Sequence, residues 1–146
     1  MSNQAANPTG SGLDILIVDD DQGAARTIAL ILDREGHIVE TANSGREALE
    51  TICSKPFDLV FIDIEMPVMN GVETHRRIKK IRPQAVVVMM TAYAAETLIT
   101  QALEDGARDI LYKPLDFKKM LDIIHEARAS QSDSLVPVVD DNRLRH

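Results

Sequence analysis

Short apolar runs recur along this chain at intervals of roughly two dozen residues, and a polar residue closes each one at its C-terminal end. Residues 13–18 end before Asp19, 37–42 before Asn43, 59–62 before Asp63, 85–90 before Thr91, and 109–112 before Lys113. Runs this short and this rich in β-branched residues read as strands. Those at 59–62 and 85–90 are apolar almost without interruption, the pattern of strands buried on both faces. Between the runs the apolar period changes to that of a helix. Ala25, Ile28 and Leu32 share one face and Gly36 supplies a stop. Asn43 or Ser44 can cap a helix carrying Ala48, Leu49 and Ile52, which ends before Pro56. Residues 72–81 predict a charged, mostly exposed helix stopped by Pro83. Ala95, Leu98 and Ala102 place another helix at 94–103, ended at Gly106. Phe117, Met120, Leu121 and Ile124 mark the inner face of a last helix reaching about Ala129. Strand and helix in strict alternation predict a parallel sheet covered by helices on both faces.

A chain of 146 residues with 45% hydrophobic content suits one domain with a full core. The expected limits are 13–129, after a polar, disordered lead-in at 1–12. Residues 130–146 have mixed polarity and no clear period, and are expected to be a tail or the start of a linker to a missing output region. No apolar run is long enough to span a bilayer, and residues 1–12 lack the apolar centre of a signal peptide. The single cysteine, Cys53, excludes an internal disulfide and reads as a small buried apolar residue. Together these features favour the cytoplasm. The formal charge of -7 would repel a nucleic-acid backbone, so direct nucleic-acid binding and membrane association are not expected.

If the first, third, fourth and fifth strands share one parallel sheet, Asp19, Asp20, Asp63, Thr91 and Lys113 line one edge of it. That edge is where open α/β sheets gather ligands. Acids packed together there repel unless a cation sits between them, and hard oxygen donors suit Mg²⁺. Mg²⁺ keeps company with phosphate oxygens, which Lys113 can neutralise and the Thr91 hydroxyl can bond. Asp63, alone at its strand tip, is then placed to act as a nucleophile toward phosphorus. Asp21 is expected to cap the first helix.

Four motifs stand in order: I-L-I-V-D-D ending at Asp20, F-I-D-I-E-M-P-V-M-N-G from Phe61 to Gly71, M-T-A-Y around Thr91, and Y-K-P-L from Tyr112. With them the chain resembles the response regulator receiver domains (CheY-like), the phospho-accepting modules of two-component signalling. The resemblance covers about 13–129. It implies a flavodoxin-like, doubly wound, five-stranded parallel sheet in order 2-1-3-4-5 with five helices. Asp63 is then the phosphorylation site and a metal ligand. Asp20 is a direct Mg²⁺ ligand, Asp19 acts through water, and Glu65 offers its backbone carbonyl to the metal. Thr91 and Lys113 bind phosphoryl oxygens, and the Lys113-Pro114 bond is cis. The implied donor is a sensor histidine kinase or histidine phosphotransfer protein. The implied output is a homodimer or a docked output domain on the face of the fourth helix, fifth strand and fifth helix. Such a module is no enzyme beyond catalysing its own phosphorylation and dephosphorylation.

Two positions depart from the family pattern. Ile110 replaces the aromatic residue that usually works with Thr91, and Tyr112, beside Lys113, is expected to have the wrong strand parity to substitute. Tyr93, two residues after Thr91, is expected to shield the acyl phosphate. Two alternatives carry other chemistry. A Mg²⁺-dependent aspartyl phosphatase of haloacid-dehalogenase type would need D-x-D-x-T, which neither strand tip supplies. A receiver-like binding module whose output ignores phosphorylation is the other, and Ile110 keeps it in view. His37, His75, His125 and His146 are too scattered for a metal site and are expected at the surface. His125-Glu126 lacks the following proline of a phosphorylated kinase histidine. Arg76, Arg77, Lys79 and Lys80 read as a solvated helix face.

Overall fold

The computed structural model describes residues 12–92 and 96–144, with side chains described as far as residue 131. Tyr93 and the lead-in before residue 12 therefore lie outside the described residues, as do the side chains beyond 131 and the whole of His146. The chain divides into two units, Met1–Leu115 and Asp116–His146.

The first unit holds a five-stranded parallel sheet in the order β2-β1-β3-β4-β5. Its strands are β1 (Asp14–Val18), β2 (Ile38–Ala42), β3 (Leu59–Asp63), β4 (Val87–Thr91) and β5 (Asp109–Tyr112). The helices between them are α1 (Gln22–Arg34), α2 (Gly45–Ser54), α3 (Gly71–Ile81) and α4 (Glu96–Glu104). Every residue of β3 and β4 is buried, whereas β2, at an edge, is mostly exposed. This follows from the sequence pattern, since strands covered on both faces carry continuous apolar runs. Leu16, Val18, Val60, Ile62 and Met89 from adjacent strands join Ala48, Ile52 and Ile78 from the helices in one apolar cluster.

Register decides where the strand tips fall. Val18 lies opposite Ile62, Asp63 opposite Met90, and Thr91 opposite Tyr112, so the residues closing β1, β3, β4 and β5 emerge along one edge. Caps fix the helices that start there. Asp21 accepts from the Ala24 N–H, Ser44 from Glu47 and Asn70 from Glu73, each side-chain oxygen satisfying a donor of the first turn. Gly71 lets α3 begin hard against the end of β3. A Cβ there would stand 2.5 Å from the Asp63 carbonyl oxygen and 2.8 Å from the Ile64 Cα.

In the second unit, Asp116 Oδ1 accepts from the N–H groups of Lys118 and Lys119, and α5 (Phe117–Leu144) follows. The sequence predicted an end near Ala129, with an irregular tail. No Gly or Pro stands between Phe117 and Val136, so nothing in that stretch halts the helix. Among its described side chains Met120, Ile123, Ile124 and Ala127 are buried.

Three other expectations are corrected. Cys53 is exposed, because the buried face of α2 is set by Ala48 and Ile52 and the next residue turns away from it. His37 and His75 are buried rather than superficial. His37 accepts the Leu13 N–H at its Nδ1, whereas His75 shares the inner face of α3 with Val72 and Ile78. That face also buries Thr74, so α3 is less exposed than its charge suggests. Burial, with Lys79 and Arg76 nearby, pushes the His75 pKa down despite Asp105. Neither of its ring nitrogens has a hydrogen-bond partner among the described residues.

Candidate functional site

Asp19 and Asp20 follow β1 directly, and Asp63 closes β3. Oxygens of these three carboxylates lie within 4.8 Å of one another, with Asp19 and Asp63 buried and Asp20 exposed. Lys113, just past β5, reaches across the edge: its Nζ is 3.1 Å from Asp19 Oδ2 and 3.1 Å from Asp63 Oδ2. Backbone donors fix the other oxygens. The Asp21 N–H donates to Asp19 Oδ1 at 3.0 Å and the Glu65 N–H to Asp63 Oδ1 at 3.1 Å. Thr91 closes β4 and is buried, and its carbonyl accepts the Lys113 N–H at 2.8 Å. The sequence-predicted constellation is thus brought together from four strand ends.

Charge is unbalanced at this edge. Burial pushes the Asp63 pKa up to about 7, and the neighbouring Asp19 charge adds to this; the Lys113 ammonium and the Glu65 N–H oppose it without cancelling it. Burial works against the Lys113 ammonium too, but the hydrogen bonds and charges of Asp19 and Asp63 outweigh it and raise its pKa. One ammonium facing three carboxylates leaves an acidic, oxygen-rich pocket, with one carboxylate open to water. These residues fit a hard divalent cation that retains part of its water shell, which is the chemistry of Mg²⁺. The cluster could hold such an ion.

Three contacts go beyond what the motifs specify. The Glu65 carboxylate accepts from the Thr91 hydroxyl at 2.5 Å and from the Ala92 N–H at 3.3 Å, although the motif points only to its backbone carbonyl. Asn43 donates from Nδ2 to the Asp19 carbonyl at 3.2 Å, supporting the acidic pair from the tip of β2. Its position as the polar residue closing an apolar run was the available signal. The Lys113-Pro114 bond is cis. Ile110 is 6% exposed and belongs to the apolar cluster, whereas Tyr112 is 53% exposed. The parity expectation for Tyr112 is corrected: two residues apart on one strand, Ile110 and Tyr112 share a face. Depth separates them, since Tyr112 sits at the strand's open end.

Residues 15–125 match the response regulator receiver domain. The chain belongs to that family. Among curated relatives of the receiver, the transcriptional regulatory protein ZraR of Klebsiella oxytoca is 42% identical over 132 residues, covering 90% of this chain and 30% of its own length. The response regulator ArlR of Staphylococcus epidermidis is 34% identical over 82% of this chain and 54% of its own. The chain thus spans about a third to a half of these relatives. A CheY-like receiver domain from Methanospirillum hungatei superposes with a TM-score of 0.80 at 33% identity, covering 84% of this chain and 98% of that one. A response regulator from Burkholderia pseudomallei, solved with a phosphorylated aspartic acid, calcium ion and citrate, gives 0.72 at 27% identity, covering 84% and 73%. The receiver's family and its place in two-component signalling are therefore settled by both sequence and fold.

Proposed function

We propose that this receiver accepts a phosphoryl group on Asp63 from a phosphohistidine of a sensor kinase or phosphotransfer protein, in a Mg²⁺-dependent reaction in the cytoplasm. The observation that carries the reading is the setting of Asp63. It is 4% exposed, is raised in pKa, and is held by Lys113 and the Glu65 N–H at the sheet edge. The phosphorylated aspartic acid of the Burkholderia relative supports it.

Asp20, Asp63, Asp19 through water and the Glu65 carbonyl would hold the ion. When bound, it offsets negative charge on the transferring oxygens. The chain's own residues do the rest. An Asp63 oxygen bonds to phosphorus as the bond from phosphorus to the donor's imidazole nitrogen breaks, and the electron pair stays on that nitrogen. Lys113 keeps its proton and neutralises a phosphoryl oxygen, while the Thr91 hydroxyl donates to another. The domain catalyses only this transfer and the hydrolysis of the resulting acyl phosphate to inorganic phosphate and free Asp63, turning over no external substrate. Output follows from a population shift that changes partner affinity. Leu103 on α4 and Tyr112 on β5 are exposed and suit a docking face for a second copy or an output domain.

Incubation with acetyl phosphate and Mg²⁺, followed by intact-mass measurement, tests the reading. One added phosphoryl group is expected, absent without Mg²⁺ and absent in Asp63→Asn. No addition to the unaltered protein, with Mg²⁺ still bound, would favour the phosphorylation-independent binding module.

A further inference from the structure

The peptide unit that joins Asp19 to Asp20 is held from the neighbouring strand. The Asp19 N–H donates to the Ala42 carbonyl at 3.1 Å, one step beyond the last paired residues, Val18 and Ala42. The ladder stops there, because Ser44 caps α2 and the backbone turns into the helix. The Asp19 carbonyl therefore meets a side chain instead of a backbone donor: Asn43 Nδ2 reaches it at 3.2 Å. Asn43 is itself restrained, its N–H donating at 2.7 Å to Oε1 of Glu47 in the first turn of α2. A peptide unit is planar, so fixing the Asp19 carbonyl also fixes the direction in which the chain enters Asp20. The Asp19 carboxylate has anchors of its own in the Asp21 N–H and Lys113. Asp20 is exposed, so the peptide it springs from sets where its carboxylate stands, within 4.8 Å of the other two.

We propose that Asn43 is a positioning residue for the metal pocket: its carboxamide, braced by Glu47, locks the Asp19–Asp20 peptide so that the Asp20 carboxylate converges on Asp19 and Asp63. This rests on the Mg²⁺ reading of the pocket and adds to it a residue from outside the acidic cluster. Three like charges brought this close repel one another, so a loosened peptide lets Asp20 swing outward toward water. Only the fraction of molecules with Asp20 turned inward can then take the ion, and binding weakens by that fraction. Among the described residues Asn43 bonds no carboxylate of the pocket, so its effect travels through the backbone.

The test is calorimetric titration of the full chain with Mg²⁺ alone, on the unaltered protein, Asn43→Ala, Asn43→Asp, Glu47→Gln, Glu47→Ala and the Asn43→Ala/Glu47→Ala pair. Removing a partner that orients a metal ligand should weaken Mg²⁺ binding about tenfold in Asn43→Ala. Asn43→Asp keeps the shape of the side chain but turns the donor into an acceptor facing the Asp19 carbonyl, so it should weaken binding at least as much. Simple charge attraction predicts the opposite, and unchanged or tighter binding in Asn43→Asp would overturn the proposal. Glu47→Gln keeps the bracing oxygen and should bind nearly as the unaltered protein does. Glu47→Ala should lose affinity several-fold, and the pair should bind no more weakly than Asn43→Ala alone, because the brace acts through Asn43. Additive losses would contradict the proposal. Urea unfolding of metal-free samples separates positioning from mere support: a lower midpoint in Asn43→Ala with an unchanged Mg²⁺ dissociation constant would overturn the proposal and leave the metal site standing. No Mg²⁺ binding by the unaltered protein would overturn both. With acetyl phosphate, the Mg²⁺ concentration giving half-maximal phosphoryl uptake should rise in Asn43→Ala by the same factor as the dissociation constant; an unchanged value would also contradict the proposal.

Discussion

Asp63 carries a cost that its neighbours only partly offset. Its pKa rises from 3.8 to about 7, chiefly through burial. Well below pH 3.8 the carboxyl is protonated in both folded and unfolded chains and costs nothing. From there up to about pH 7 the unfolded chain ionises first, so the folded state loses relative stability, and above that the loss levels off. Asp63→Asn should therefore stabilise the metal-free protein by about 2 kcal/mol at pH 8 and by almost nothing at pH 4. Urea unfolding at the two pH values checks this, and a gain independent of pH would assign the effect to something other than the carboxylate. The chemistry of Asp63 was legible because it alone interrupts the end of an apolar run. The Glu65 side chain was not, since its direction depends on the backbone path after β3. His75 hid for another reason: a polar residue on the buried face of α3 breaks the apolar period that reveals such faces.

The turn that joins β3 to α3 stores strain beside the site. Val68 has φ 67°, the Met69 N–H bonds the Pro67 carbonyl at 2.7 Å around it, and its side chain is fully exposed. A β-branched residue pays for that conformation with no packing in return. Val68→Gly is expected to stabilise the protein by about 1 kcal/mol, read as a higher urea midpoint with unchanged slope. Gly71, at the other end of the same turn, has no such freedom. Gly71→Ala should destabilise by about 2 kcal/mol because the new methyl group meets the backbone of Asp63 and Ile64. It should also weaken Mg²⁺ binding by displacing Asp63, which calorimetric titration would detect. The elements were readable wherever apolar period and punctuation agreed. The strands match to within a residue or two, and Asp21 and Ser44 cap as expected. The end of α5 was not readable, because mixed polarity after Ala129 hides the helical period and the helix runs on past Pro137.

Across the molecule, parallel strands of matched register collect their closing residues into one site, so fold and site were legible together. Strand order came from the family motifs, not from periodicity, which cannot tell which strands are neighbours. The acidic cluster adds a dependence on ions. Mg²⁺ at about a hundred times its dissociation constant should stabilise the protein by about 2.7 kcal/mol, visible as a raised Tm near neutral pH. Asp20→Asn should remove most of that gain. The central claim concerns one carboxylate, and residue-level mapping addresses it most directly. After incubation with acetyl phosphate and Mg²⁺, borohydride reduction and peptide sequencing should find homoserine at position 63 and at no other carboxylate. Homoserine at Asp19 or Asp20, or none at all in protein that binds Mg²⁺, would contradict it.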